Sequence, residues 1–136
     1  MKEFSRNEQQ EIVMSIIYSA LTYASAGVTF SLEELIEDNT GLPYDEVPFF
    51  IKELTIKTLS HEEEIIKAIE PKLNKWQFHR LNRVDQAVLL MSYAHYYYIG
   101  NVNKSIVINI AVKMVKKFVL NDDYKYVNAV LDEVLV

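Results

Sequence analysis

A chain of 136 residues, 50% hydrophobic and 24% charged, has enough apolar side chains to bury a core and is not the composition of a disordered protein. Three glycines and three prolines supply too little turn chemistry for a sandwich or barrel, and the lack of cysteine excludes disulfides, thiolate metal sites and cysteine nucleophiles. The formal charge of −5 is the wrong sign for a protein that grips nucleic acid by phosphate neutralisation alone. Acids concentrate between Glu33 and Glu70, whereas Lys104, Lys113, Lys116, Lys117 and Lys125 fall in the last third. No apolar run reaches the ~18 residues that span a bilayer, and Met1 to Arg6 lacks a signal peptide's apolar core. The expectation is one cytoplasmic domain, residues 1–136, with no membrane contact.

The first stripe, Ile12, Ile16, Ala20 and Tyr23, predicts a helix from about Glu8 to Ala24, ended by Gly27. Ser31 to Glu34 reads as a capping box that opens a short helix through Glu37 or Asp38, before Asn39 to Pro43 breaks the pattern. Asp45 is the expected next N-cap, with Pro48 in the first turn and Phe49, Leu54, Ile56 and Leu59 in the core. Ser60-His61-Glu62-Glu63 repeats the capping pattern and opens a helix with Ile65, Ile66 and Ile69, up to Pro71.

A link from Lys72 to Phe78 leads to a helix from about Asn82 to Tyr98 that is apolar nearly all round, and so belongs in the middle of a bundle. Gly100 and Asn101 end it. Ser105 to Phe118 begins with β-branched residues, but no second segment offers itself for pairing. Ala111, Met114, Val115 and Phe118 keep helical spacing, so it reads as a buried helix. The last helix starts at Asn121 or Asp122 and buries Tyr124, Val127, Leu131 and Val134. Its opening turns place Asp122, Asp123, Lys125, Tyr126 and Asn128 at one end of the body, which suits a polar, base-bearing partner better than catalysis.

Enzymatic constellations are absent from the pattern. His61 and Glu64 share an i, i+3 face but have no further ligand, and His79 and His95 stand alone among apolar and aromatic residues. No phosphate loop or nucleophile elbow occurs, and no cofactor is expected. Tyr96-Tyr97-Tyr98 reads as rings half-buried at a helix end rather than as a stacking platform. Lys113, Lys116 and Lys117 share one helix face, open either to solvent or to phosphate.

From Trp76 onward a longer pattern emerges: Arg80-Leu81, Val84-Asp85, Ala87-Val88-Leu89, Ile106-Val107-Ile108-Asn109, Ala111-Val112 and Lys125-Tyr126-Val127-Asn128-Ala129-Val130-Leu131-Asp132. The C-terminal half thereby resembles the NusB family of bacterial transcription antitermination factors; the N-terminal half matches in length, helix order and the start Ser5-Arg6. The resemblance implies an all-α fold, a compact bundle of about seven helices in two subdomains, and no enzymatic activity. It also implies pairing with the ribosomal protein NusE, binding of boxA RNA in nascent ribosomal transcripts, and action within the RNA polymerase antitermination complex. It admits a homodimer. Carried onto this chain, the RNA side is Lys2, Arg6, Tyr18, Asp122, Lys125 and Tyr126, and the NusE side is Arg83, Asp85 and Phe118. Cations and rings are expected to gather at one edge, beside the helper protein.

This chain departs from the family where Gln86 and Leu90 stand at common arginine positions, His95 at a usual glutamate, Ile110 at an acid and Ala129 at a glycine. The several arginines that usually begin the family are reduced to Arg6, followed by Asn7 to Glu11, which thins the charge available to RNA. The alternative reading is a protein-interaction module of the same fold with weak or lost RNA binding. The fold also serves as the RNA-binding domain of rRNA cytosine methyltransferases, but 136 residues leave no room for a catalytic domain, so that reading requires a truncated chain.

Overall fold

The computed structural model describes residues 3–74 and 76–136 of the chain, so Lys2 lies outside the described residues. Among these residues there are seven α-helices and no strand: α1 (Arg6–Ser25), α2 (Leu32–Thr40), α3 (Phe49–Ser60), α4 (Glu62–Ile69), α5 (Arg83–Ala94), α6 (Lys104–Phe118) and α7 (Asp123–Val134). Short 3-10 turns fall at Tyr44–Glu46, Glu70–Lys72 and Phe78–Arg80, and one π turn at His95–Ile99. Helix α5 is the hub. It packs against α1, α3, α4, α6 and α7, and α6 lies along α7. Nine of its twelve residues are buried, including Ala87 through Met91, as expected for a helix apolar on every side.

Local chemistry explains most boundaries. Ser5 opens α1 with both halves of a capping box: its Oγ accepts from Glu8 N at 3.1 Å, and its own N–H donates to Glu8 Oε1 at 2.9 Å. Replacing Ser5 with Ala is expected to cost about 1 kcal/mol, seen as a Tm lower by several degrees in thermal unfolding. Ser31 caps α2 through Glu34 N at 3.2 Å, and Gly41 ends it in the left-handed conformation, φ 71°. That helix runs to Thr40, two or three residues past the expected end, because Asn39 and Thr40 turn their side chains back onto the carbonyls of Leu35 and Ile36. The β-branched start of α6 is helical, as its later spacing requires.

Several expectations fail for local reasons. Asp45 caps nothing: it sits in a 3-10 turn, and Pro48, extended at ψ 137°, immediately precedes α3 instead of lying in its first turn. Ser60 does not cap α4, because its backbone remains the last residue of α3 and its hydroxyl bonds the Lys57 carbonyl. Phe49 is 71% exposed, whereas Phe50 turns inward to meet Arg6 and His95. Ile56 is also exposed, and Tyr124 is only half-buried, beneath Lys116. Tyr23 lies on the surface against Phe30.

Candidate nucleic-acid and partner interface

The N-termini of α5 and α7 meet at one end of the bundle. Asp85, in the first turn of α5, is 2% exposed, and Asp123 is the first residue of α7. Both carboxyls line one cleft, close enough for each to act on the other's proton. Burial, then the hydrogen bond to Asp123, then the neighbouring charge push Asp85 up to about 8. Two helix N-termini favour anions here by roughly 0.3–1 kcal/mol each, too little to offset burial and like charge. The other Asp85 oxygen, Oδ1, is buried with no hydrogen-bond partner.

Around this pair lies a cleft of about 350 Å³ lined also by Trp76, Arg80, Asn82 and Tyr126. Trp76 is 54% exposed. Tyr126 is half-buried and its hydroxyl donates to the Leu73 carbonyl at 3.0 Å; burial and then Asp85 raise its phenol above the ordinary value. Lys125 and Asp122 are exposed beside it and form a 3.7 Å ion pair, so the lysine is tethered at the mouth of α7 by an interaction of little strength.

The residues assigned by resemblance do not form one edge. Tyr126, Lys125 and Asp122 share the start of α7. Arg6 lies at the other end of α5, its guanidinium 3.9 Å from the Phe50 ring centroid and beside His95, whose protonation is disfavoured first by burial and then by Arg6. Ten residues of helix, about 15 Å, separate Asp85 from His95. The division follows from packing: α1 runs antiparallel to α5, so Arg6 meets its C-terminal end while Thr22 reaches Arg83 at the other. Tyr18 stands on α1, 41% exposed.

The three residues on the partner side also diverge. Arg83 bonds Thr22 Oγ1 at 3.2 Å and lines a cavity of about 270 Å³ with Glu62 and His79. Asp85, two residues on and about 200° around the helix, faces α7. Phe118, 44% exposed, lines a groove of about 490 Å³ with Phe4, Ile12 and the acidic side of α1. Sequence reasoning missed Asp123 as the partner of Asp85 and Trp76 as a wall of the cleft. Both stood in quoted motifs, but only the packing of α5 on α7 joins them.

Other candidates have structural occupations. The Tyr97 hydroxyl donates to the Val134 carbonyl at 2.9 Å and accepts from Val136 N at 3.1 Å, and Tyr96 donates to the Val136 carbonyl at 2.7 Å. Tyr98 donates to Glu64 Oε2 and stacks on His61 at 4.1 Å. The tyrosine run therefore fastens the chain's end and α4, as expected for half-buried rings. Lys117 is held by Glu11 at 2.9 Å and Lys116 lies over Tyr124 at 4.5 Å, leaving Lys113 exposed.

Comparison with known proteins agrees with this architecture. The family model described as the NusB family matches residues 7–135. Transcription antitermination protein NusB of Geotalea daltonii is 30% identical over 136 residues, covering 96% of this chain and 93% of that protein. Its counterpart in Treponema denticola is 36% identical over 102 residues, covering 75% of this chain and 71% of that protein. Among solved structures, T. maritima NusB superposes with a TM-score of 0.82 at 20% identity, covering 98% of this chain and 92% of that one. A chain in the crystal structure of a plectonemic RNA supercoil gives 0.76 at 22% identity, covering 96% and 94%. The seven-helix bundle, its hub helix and the match over nearly its whole length lead to one conclusion: the chain belongs to the NusB family, whose curated relatives are transcription antitermination proteins and not enzymes.

Proposed function

We propose that this NusB-family chain acts, as one domain in the cytoplasm, by pairing with NusE and binding boxA RNA of nascent ribosomal transcripts within the RNA polymerase antitermination complex. The observation that supports this best is the α7 entrance. It offers a half-buried Tyr126 ring held by Leu73 and an exposed Lys125 at the same end of the molecule. An aromatic face beside a cation suits single-stranded RNA, whose unstacked bases take ring contacts while phosphates take the charge. Arg6 is the second contact, and RNA that meets both must travel the length of α5. Asp85 and Phe118 supply NusE contacts on separate surfaces, with Arg83 bracing α1 against α5.

With so few cations, RNA affinity depends on the helper protein. Titration of boxA RNA is expected to give weak binding to the chain alone and at least about tenfold tighter binding with NusE, with a log–log salt slope near −2 for two to three phosphates. Equal, salt-insensitive affinity with and without NusE refutes the shared site. A second reading, an interaction module without RNA binding, draws support from the cations already paired internally, Lys117 with Glu11 and Lys125 with Asp122. It requires NusE to pair while boxA stays unbound in the same titration.

A further inference from the structure

We propose that the cleft of Asp85, Asp123, Trp76 and Tyr126 is a receptor for an arginine side chain of the partner protein, whose guanidinium binds the two carboxyls. The inference rests on the NusE reading and adds to it the chemistry of the contact. Three observations carry it. Asp85 is almost wholly buried, yet its Oδ1 has no hydrogen-bond partner, a costly arrangement that a donor entering the cleft relieves. The second carboxyl, that of Asp123, lines the same cleft, so the pair offers acceptor oxygens at the start of two helices. Trp76, half-exposed, and Tyr126 give the same cleft aromatic walls.

The occupant's chemistry follows from that lining. Two acids exclude an anion. A metal ion is poorly served, since no group of three His, Cys, Asp or Glu side chains able to hold one occurs among the described residues. A planar guanidinium uses both the carboxyl oxygens and the indole face, whereas an ammonium uses only the charge. The charged or titratable groups facing Asp85 in the cleft are Asp123 and Tyr126 from α7 and Arg80 from the preceding 3-10 turn. Arg80 forms no ion pair with either acid among the described residues, and the neighbouring charge acting on Asp85 is that of Asp123. The cation must therefore come from outside. It enters past Trp76, the chain's only tryptophan, whose fluorescence reports the event directly.

The test titrates the full chain with NusE at pH 6.0, 7.5 and 9.0, read by calorimetry and by Trp76 fluorescence, for the wild type, Asp85→Asn and Asp123→Asn. Because the bound proton competes with the guanidinium, wild-type affinity is expected to rise about tenfold or more from pH 6.0 to 9.0. Asp123→Asn is expected to reduce that rise without abolishing it, because burial, the larger cause, remains. Asp85→Asn is expected to bind more weakly at every pH, with a flat profile, while its circular dichroism stays native. Parallel pH profiles in all three proteins, or unchanged affinity in Asp85→Asn, overturn the proposal. So does the same Asp85-dependent profile with boxA RNA in place of NusE. If NusE fails to bind the wild type at any pH, the partner reading falls and arginine amide becomes the probe. A saturable Trp76 response, stronger than with lysine amide and lost in Asp85→Asn, upholds the receptor; no response overturns it.

Discussion

Between pH 6.5 and pH 8 the protein is expected to lose about 2 kcal/mol of stability, and Asp85→Asn to lose almost none. In the unfolded chain Asp85 sheds its proton near pH 4, whereas in the fold burial and Asp123 hold it to about 8. Across that interval the folded state binds more protons than the unfolded one, so stability declines as pH rises and levels off above the folded value. His95 acts in the opposite direction. Its folded pKa is lowered by burial and by Arg6, so stability rises with pH up to its unfolded value near 6.5 and is constant beyond. The window above pH 6.5 therefore isolates the carboxyls. Glu62, also raised, first by burial, contributes with the same sign as Asp85, and the asparagine variant separates the two. Urea unfolding at three pH values in the window measures the slope; a wild type as flat as Asp85→Asn means that no proton is held there.

Tyr126→Ala is expected to lower stability by about 2 kcal/mol and to weaken boxA RNA, in the presence of NusE, by about tenfold or more. The half-buried ring packs against the core, and its loss opens a void beside Asp85 and frees the Leu73 carbonyl. Tyr126→Phe separates the two roles. It keeps the ring for a base, loses only the bond to Leu73, and should cost about 1 kcal/mol of stability with RNA affinity nearly unchanged. Denaturation curves and RNA titrations on both variants provide the check. If the phenylalanine variant loses RNA as severely as alanine, the ring is not the contact and the stacking assignment is wrong.

Legibility in the sequence tracked the range of the interaction. The Ser31 side-chain cap on Glu34 N and the helical period of α6 involve neighbours three or four residues apart, and both are realised. Ser60 and Asp45 show the limit of motif reading: each has the right neighbours, but a cap also needs a non-helical backbone at that residue, and Ser60 is still inside α3. Phe49 and Phe50 are indistinguishable by hydrophobicity; where α3 begins, immediately after Pro48, decides which of them faces Arg6. The hub character of α5 was plain from its uniform apolarity. The acid pair was not, because nothing in Asp85 or Asp123 alone marks a shared cleft. The separation of Arg6 from Tyr126 was equally hidden, since it depends on the antiparallel run of α1 along α5.

One five-residue turn has a wider reach than its size indicates. The π turn at His95–Ile99, closed by the Gly100 N–H to His95 carbonyl bond at 3.0 Å, carries one residue more per hydrogen-bonded ring than the helix before it. The wider ring aims the three tyrosines differently from the way a regular α-helix would aim the same positions. Their hydroxyls reach Val136, Val134 and Glu64, so this turn ties the end of α5 to the C-terminal end of α7, to Val136 beyond it and to α4. The extra residue thus works as an angular shim between the hub and the elements its tyrosines fasten.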